Sequence, residues 1–309
     1  MAVKRELAIV LGVTGDWTFA VANVLMGIKS HSPQIIDTTD FIILHQGMNN
    51  ENKRLLNSIT PCSIREYHFP SDKLKELHPE NYSRFSEMTY SRYECFKLLD
   101  EYKKVVWLDV DIVVQNDIAG MFDYADRTGI AFCKAGNSLK GHFIKEWDRL
   151  KKYDLKKTHV NAGIFVISDK LKDYKQIADW CYEKTIELCD ILFLVDQSIL
   201  NLMFQEFNLE VEMMDKKYNC SYPKFKKESK KAYIIHTCDY RKTWNYWSFK
   251  EWNRNNIIWI KMGGTPFQGK KINPVKEYLY KKIYCRLFHD KPDPIRHPKK
   301  FIKKCFNLK

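Results

Sequence analysis

An α/β fold with a mostly parallel sheet is predicted by two features of this 309-residue chain. Short apolar runs alternate with amphipathic stretches along its first third, the pattern of successive βαβ units. A strongly apolar run, Val105–Leu108, is followed at once by Asp109-Val110-Asp111. Open α/β sheets bind ligands at the carboxyl ends of their strands. A chain of this length buries a substantial core as one large domain or two small ones. We therefore expect a sheet flanked by helices.

The first third supplies three strands and two helices, each identified by its hydrophobic period. The predicted elements, in order, are strand Leu7–Val13, helix Thr18–Lys29, strand Asp40–His45, amphipathic helix Asn50–Ile59 and strand Ile64–His68. This strict alternation is the main reason to expect parallel pairing.

The middle of the chain continues the pattern less regularly. The predicted elements are helix Thr89–Leu99, strand Lys104–Leu108, strands Gly129–Cys133 and Gly163–Ser168, helix Asp196–Gln205 and a last strand Tyr233–His236. The turn-like Gln115–Asp117 follows the short apolar run Ile112–Val114.

The positive charge is concentrated at the C-terminus. The formal net charge is +13, and the residues from Phe267 onward carry 13 Lys/Arg and 3 Asp/Glu, so residues 1–266 carry only +3. Val275–Phe288 and Lys299–Leu308 mix cations and aromatics at helical spacing around a proline-rich break. Such segments lie on anionic membrane surfaces, which is the partner we favour, although a docked helix with a solvated basic face has the same pattern.

Nine cysteines are scattered along the chain, an odd number with no C-x-x-C pair. This usage argues against a zinc site and a disulfide framework and favours a reducing cytoplasm. The sequence contains no run of roughly 18 apolar residues, and the apolar run Leu7–Leu11 is too short for a signal peptide. The predicted location is therefore cytoplasmic.

Asp109 and Asp111 are the sharpest chemical feature of the sequence. Residues i and i+2 of a strand point to the same face, so both carboxylates would project from the sheet edge. Two adjacent like charges are costly unless a cation neutralises them, and hard oxygen ligands favour Mg²⁺ or Mn²⁺. The alternative is a solvated turn after a strand.

His236 ends the apolar run Tyr233–Ile235, and Lys242 and Trp244 follow it at fixed distances. An imidazole ligand would favour Mn²⁺ over Mg²⁺, and Lys242 would meet a diphosphate as a point charge. A histidine at a strand end is, however, more often structural than a metal ligand.

Together these residues resemble glycosyltransferase family 8, the retaining galactosyltransferases and glycogenin-like enzymes, and most closely the bacterial lipooligosaccharide galactosyltransferases. The resemblance rests on ordered blocks across Leu7–Trp244. Thr89–Arg92 resembles the family's T-Y-x-R block, and Val106–Val114 resembles its D-x-D strand. Asn161–Phe165 resembles its N-A-G strand, Asp196–Asn201 resembles its D-Q-x-x-L-N helix start, and His236, Lys242 and Trp244 match its H-x-x-G-x-x-K-P-W element. In this last element Asp239 replaces the glycine and Thr243 the proline, which changes the local loop geometry.

The resemblance implies a GT-A type, Rossmann-like fold over residues 1–265. The charge and helical spacing described above predict a basic helical, membrane-associating tail over 266–309. The resemblance also implies specific roles. Asp109, Asp111 and His236 would bind Mn²⁺, with Mg²⁺ as the alternative, and Lys242 would neutralise the leaving phosphate. The donor-binding set would comprise Asp16, Arg92, Asp109, Val110, Asp111, Asn161, Ala162, Asp196, Gln197, His236 and Lys242, with Gln197, Asp196 and Asp109 at the reaction centre.

The implied activity is that of a retaining hexosyltransferase. It would move galactose or glucose from a UDP-sugar to a saccharide or lipid-linked saccharide of a surface glycan, lipooligosaccharide or capsule, at the inner face of a bacterial membrane. An amide is a poor nucleophile, so a front-side route is preferred to attack by Gln197. The alternatives are a nucleic-acid- or anionic-lipid-binding protein, a metal-dependent nucleotidyltransferase or phosphohydrolase of similar fold, and a non-catalytic sugar-binding relative. The chain contains no recognised nucleic-acid motif, so nucleic acid is not an expected partner.

Overall fold

The computed structural model describes residues 3–72, 86–144 and 147–275. Seven strands form the main sheet: β1 Arg5–Thr14, β2 Thr39–Gln46, β3 Cys62–Glu66, β4 Tyr102–Leu108, β6 Ile130–Gly136, β7 His159–Ser168 and β8 Glu212–Met213. Their order across the sheet is β3-β2-β1-β4-β7-β6-β8.

Six of these strands run in one direction, and β7 alone runs in the opposite one. β1 pairs in parallel with β2 and β4, whereas β7 is antiparallel to both β4 and β6. The predicted mostly parallel sheet is thus confirmed, with one reversed strand at its centre. Because β7 is reversed, its N-terminal half lies beside the carboxyl end of β4.

A second, three-stranded sheet has the order β5-β10-β9, with β5 Ile112–Val114, β9 Cys220–Ser221 and β10 Ile234–His236. β10 is antiparallel to β5 and parallel to β9. The apolar run after the two aspartates therefore leaves the main sheet and begins this smaller one.

Helices cover both faces of the main sheet. They are α1 Thr18–His31, α2 Asn50–Ile59, α3 Glu94–Leu98, α4 Ala125–Thr128, α5 Tyr174–Leu188, α6 Val195–Glu206 and α7 Lys250–Lys261. Along β1, Ile9 and Leu11 belong to the core under α1, α2 and α7, whereas Ala8 and Val10 belong to the core under α3, α5 and α6. The alternation follows from the two-residue period of a strand.

Several predicted elements differ in detail from the structure; β7, for example, begins at His159 and not at Gly163. The predicted helix Thr89–Leu99 begins as the 3₁₀ segment Glu87–Tyr93 and becomes α-helical only in α3. Side chains in this segment bond to its own carbonyl groups, since the Ser91 hydroxyl donates to the Met88 oxygen (2.7 Å) and Arg92 Nε to the Thr89 oxygen (3.0 Å). Such bonds compete with regular helical pairing. The third strand also starts two residues earlier than expected, at Cys62.

The described chain stays attached to the domain beyond the predicted boundary at residue 265. Phe267 packs against Trp17 and Phe19, with ring centroids 6.2 and 5.8 Å away, and the Ile272 amide donates to the Asn245 oxygen (2.8 Å). The predicted tail segments Val275–Phe288 and Lys299–Leu308 lie outside the described residues, apart from Val275. None of the helices in the described ranges combines the length and apolar character needed to cross a bilayer.

Candidate active site

Three potential metal ligands are brought together by strand ends. Asp109 immediately follows β4, Asp111 immediately precedes β5, and His236 is the last residue of β10. The antiparallel pairing of β5 with β10 places His236 opposite Ile112, and the Thr237 amide donates to the Asp111 oxygen (3.0 Å). A tertiary contact between residues far apart in sequence therefore creates the cluster.

The potential ligand atoms of Asp109, Asp111 and His236 all lie within 4.8 Å of one another. His236 Nε2 is 3.0 Å from Asp111 Oδ1 and 3.7 Å from Asp109 Oδ2. His236 is buried and the two carboxylates are half-buried. Two carboxylates and an imidazole at this spacing are a suitable ligand set for a divalent cation.

Two further observations fit a metal at this position. The His236 Nδ1 atom lies 2.8 Å from Asn219 Oδ1, so a proton on Nδ1 would leave the Nε2 lone pair directed at the carboxylates. A Cβ on Gly163 would lie 2.3 Å from His236 Cε1 and 2.6 Å from Asp109 Oδ2, so glycine keeps this cradle open. Burial lowers the pKa of His236, but interactions with Cys238 and Asp111 outweigh burial and hold the pKa well above its usual value.

Lys242 supplies a fixed cation beside the cluster. Its Nζ donates to Asp111 Oδ2 (2.5 Å) and to the Thr237 carbonyl (2.6 Å). Burial alone would raise the pKa of Asp111, but Lys242 and His236 together hold it below its usual range. Burial likewise opposes the charge on Lys242, and Asp111 outweighs it and raises the lysine pKa. The pair is therefore ionised.

Arg92 joins the two acidic parts of the site. Its Nη2 donates to Asp109 Oδ1 (3.1 Å), and its Nη1 lies 2.9 Å from Asp196 Oδ2 and donates to the Ala162 oxygen (2.7 Å). Trp107 Nε1 also donates to Asp109 Oδ1 (2.9 Å). Since protein groups engage the guanidinium on several sides, Arg92 orients the carboxylates as well as lining the cleft.

A chain of side-chain amides connects Gln197 to the proposed metal ligand His236. Gln197 Oε1 accepts from Asn161 Nδ2 (3.1 Å) and from the Ala162 amide (3.2 Å). Asn161 Oδ1 accepts from Asn219 Nδ2 (2.8 Å), and Asn219 in turn holds His236. The side chains of Gln197, Asn161, Asn219 and His236 are thus fixed relative to one another.

Asp196 lies buried in the first turn of α6, where Val195 has a φ of 23°. A positive φ is unfavourable for a β-branched residue and is characteristic of functional sites. Burial raises the pKa of Asp196 to about 6, and Arg92 opposes this only in part. The charge of Arg92 is shared between two carboxylates, which explains why the pKa remains high.

These groups line one cleft of about 270 Å³. Its walls include nine of the predicted site residues: Arg92, Asp109, Asp111, Asn161, Ala162, Asp196, Gln197, His236 and Lys242. Asp16 is exposed on the turn after β1 and is not among the lining residues, and Val110 is half-buried against the core.

Sequence reasoning missed Asn219, Thr237 and Trp107 as supports of the site. Asn219 precedes β9, a strand of only two residues that has no hydrophobic period to detect. Trp107 belongs to an apolar strand by its pattern, and that pattern gives no sign that its indole N–H donates to a carboxylate two residues later.

Comparison with known proteins shows related sequences in bacteria and plants. The chain is 24% identical over 285 residues to glycosyltransferase GlyF of Streptococcus pneumoniae serotype 4, covering 86% of this chain and 65% of GlyF. It is 24% identical over 310 residues to GlyA of the same organism, covering 93% of this chain and 40% of GlyA. Galactinol synthase 2 of Arabidopsis thaliana is 24% identical over 226 residues, covering 66% of this chain and 61% of that protein. The chain thus spans less than two thirds of these relatives.

Solved structures share the fold at low identity. The galactosyltransferase LgtC, in complex with donor and acceptor sugar analogues, matches with a TM-score of 0.63 at 16% identity, covering 82% of this chain and 99% of LgtC. An active-site mutant of LgtC with glutamate in place of glutamine matches at 0.65, with 16% identity and coverages of 84% and 97%. The bifunctional glycosyltransferase WbbM matches at 0.61, with 18% identity and coverages of 85% and 52%.

The family comparison covers most of the described domain. The sequence model described as glycosyl transferase family 8 matches residues 8–248, a range that contains all of the cleft residues. The mixed α/β architecture with a seven-stranded, mostly parallel sheet is that of the GT-A structures described above. The chain therefore belongs to glycosyl transferase family 8, a family of sugar-transferring enzymes.

Proposed function

We propose that this protein is a retaining hexosyltransferase that uses Mn²⁺ and a UDP-sugar. One observation carries the proposal: Asp109, Asp111 and His236 converge in a cleft that is also lined by Asp196 and Gln197. The first group suits a diphosphate and its metal, and the second suits a sugar. The proposed sugar is galactose or glucose, and the acceptor is a saccharide.

The diphosphate end would stabilise the leaving group. Asp109, Asp111 and His236 would hold the Mn²⁺, which offsets negative charge on the diphosphate when bound. The mixed oxygen and nitrogen ligand set favours Mn²⁺ over Mg²⁺. Lys242, already charged at 2.5 Å from Asp111, would place a second cation beside the departing phosphate.

The sugar end supports a front-side route. In this route the bond from the anomeric carbon to the phosphate oxygen breaks while a bond to the acceptor oxygen forms on the same face. The acceptor proton passes to the leaving phosphate. Gln197 Oε1 already accepts two hydrogen bonds, which makes this weakly nucleophilic oxygen less available for attack. Asp196 is engaged by Arg92 and would stabilise positive charge at the anomeric carbon.

The choice of donor and acceptor rests on relatives. LgtC is a galactosyltransferase and galactinol synthases are plant relatives, so a hexose donor is the natural first choice. GlyF and GlyA are bacterial glycosyltransferases, in line with a surface glycan, lipooligosaccharide or capsule, as the acceptor. The net charge of +10 after Pro266 supports a peripheral site of action at the inner face of a bacterial membrane.

Thermal unfolding with UDP, GDP and CDP, each with and without Mn²⁺, tests the donor class and the metal together. A ligand that binds the native state at about 100 times its Kd adds roughly 2.7 kcal/mol of stability. We expect UDP with Mn²⁺ to raise Tm by roughly 4 °C and the other nucleotides to raise it much less.

The matched variants are Asp111→Asn, which removes a proposed ligand, and Asp123→Asn, which removes an exposed carboxylate on the far side of the sheet from the cleft. The Mn²⁺-dependent shift should disappear in the first and persist in the second. Equal shifts for all three nucleotides, or a shift that survives Asp111→Asn, would reject the proposal.

A further inference from the structure

A lysine-rich segment borders the cleft and is not used by the proposed chemistry. We call residues 222–231 the lysine loop; it contains Lys224, Lys226, Lys227, Lys230 and Lys231, with Glu228 as its single acidic residue. Its net charge is thus +4, whereas residues 1–266 as a whole carry +3, so the rest of that region carries −1. The net positive charge of residues 1–266 therefore comes from these ten residues.

The five lysines are exposed, and within the described ranges none of them forms an ion pair. The backbone beneath them is nevertheless anchored: the Ser229 hydroxyl donates to the Lys226 oxygen (2.8 Å), and Gln115 Nε2 donates to the Ser229 oxygen (2.6 Å). Like charges on an anchored backbone repel one another, so the arrangement costs stability unless an anion binds there.

The lysine loop begins at the cleft. Strands β9 and β10 are parallel, and Ser221 is paired with His236, so the chain leaves β9 at the same edge where the metal ligands lie. Lys224 follows three residues later. Burial and, less strongly, Lys224 lower the pKa of His159, two residues before Asn161. The lysine loop thus starts at the rim of the cleft, near its amide-lined wall.

The chemistry of the lysine loop suits lipid headgroups. Its cations are all lysines, which act as point charges toward phosphate, and the loop contains no arginine fork for reading bases. Phe225 packs partly against the core, and its ring centroid lies 5.1 Å from Lys224 Nζ and 5.7 Å from Lys216 Nζ. Its ring therefore supports these cations from beneath. Clustered lysines near a membrane are attracted to its anionic headgroups.

We propose that the lysine loop docks the folded domain on an anionic membrane, with the mouth of the cleft facing the headgroups. The basic tail then attracts the protein to the membrane, and the lysine loop orients the cleft toward the membrane surface. This inference rests on the proposed transferase function for its consequence, which is that the acceptor is a saccharide held at the membrane surface. The docking itself is measured without any transfer reaction.

The test compares the full chain with two variants of equal net charge. In the loop variant, Lys224, Lys226, Lys227, Lys230 and Lys231 are changed to glutamine; in the control variant, Lys4, Lys103, Lys170, Lys172 and Lys175, near the opposite edge of the sheet, are changed to glutamine. Binding is measured by sedimentation with vesicles of phosphatidylglycerol and phosphatidylcholine in a roughly 1:2 ratio. Since each lysine near such a surface contributes measurably, we expect the loop variant to bind at least about tenfold more weakly than the control.

The lysine loop should also account for part of the salt dependence, so the loop variant should have a shallower slope than the control. Equal binding by the two variants would overturn the proposal, because the tail alone would then explain it. Three further results would also overturn it. The full chain could bind pure phosphatidylcholine vesicles as well as the anionic vesicles, or bind duplex DNA more strongly than vesicles. Inorganic phosphate at matched phosphate concentration could also displace it fully from the vesicles. The UDP-dependent shift in Tm, measured on the same samples, reports separately on the donor site.

Discussion

At the scale of single residues, the site is defined by how its charges are partnered. Lys242 and His236 hold Asp111 ionised, whereas Asp196 shares Arg92 with Asp109 and remains hard to ionise. Carboxylates of the same cleft therefore differ in proton affinity because burial and cations are distributed unevenly.

This imbalance predicts a pH-dependent stability for Asp196. Its pKa in the folded protein, about 6, exceeds the usual value, so the stability linked to its protonation is present below about pH 4 and lost as pH rises through 6. This loss in the free energy of unfolding is at most about 3 kcal/mol. Asp196→Asn should therefore be at least as stable as wild type at pH 7, with the advantage shrinking toward pH 4.

Urea unfolding between pH 4.5 and 8 measures this difference, and Asp173→Asn, an exposed aspartate preceding α5, is the control. A variant that is less stable than wild type at pH 7 and equally so at pH 5 would show that the ion pair with Arg92 outweighs burial.

Asn219 orients the proposed metal ligand His236, so its role is tested by measuring metal binding. Asn219→Ala removes the acceptor at His236 Nδ1 and the donor to Asn161, but leaves the three proposed ligands in place. Loss of such a support weakens metal binding by about 10–100-fold. Mn²⁺ titration followed by electron paramagnetic resonance should detect this loss, with Asn253→Ala on the exposed side of α7 as a control. Unchanged affinity in Asn219→Ala would show that His236 is oriented by other contacts.

At the scale of elements, the reversed strand β7 is what assembles the site. Running antiparallel beside β4, it brings Gly163 against Asp109, whose amide donates to the Gly163 oxygen (2.8 Å). The same strand presents Asn161 to Gln197 on α6. A parallel strand in this place would direct its N-terminal half to the other edge of the sheet.

Gly163→Ala tests this close approach. The added methyl would lie within 2.6 Å of both His236 and Asp109, so the ligand positions must shift even though the change is small. We expect the affinity for UDP in the presence of Mn²⁺, obtained from the shift in Tm, to fall to less than about a tenth of the wild-type affinity. Gly141→Ala is the matched control, since its Cβ would meet no atom within 4 Å. The prediction is wrong if both variants respond to UDP and Mn²⁺ as wild type does.

At the scale of the whole molecule, contacts with the domain continue past the residue where the charge changes. The boundary predicted at residue 265 was drawn from the onset of the basic composition, but Phe267 packs on Phe19 and Ile272 bonds to Asn245. Composition reports the solvent-facing character of a segment, whereas attachment depends on a few apolar and backbone contacts.

Truncation separates these two boundaries. A chain ending at residue 265 loses the packing of Phe267, which is worth about 1–2 kcal/mol for a half-buried aromatic side chain. Its Tm should therefore be roughly 3–6 °C below that of a chain ending at residue 275. Scanning calorimetry on both chains and on the full protein measures the difference. Identical Tm values for the two truncated chains would restore the boundary at residue 265.

The sequence by itself determined the local features of this protein. Hydrophobic period identified most strands and helices because burial imposes a two-residue or 3.6-residue spacing that is visible without coordinates. The ordered blocks between Thr89 and Trp244, which include Asp109, Asp111 and His236, were sufficient to predict the family. The metal-ligand set that the resemblance implies stays a prediction. These features are local, so their physical cause lies within a few residues of chain.

Only the tertiary structure decided the direction of β7, the second sheet, and the contacts among the side chains of the cleft. These depend on which strands pair, and pairing is set by the packing of the whole core, which a periodic pattern cannot encode. Asn219 is the clearest case: its neighbours His236 and Asn161 are 17 and 58 residues away in sequence. Its role arises only when β9 and β10 join, because a short polar segment acquires a function from what the fold places beside it.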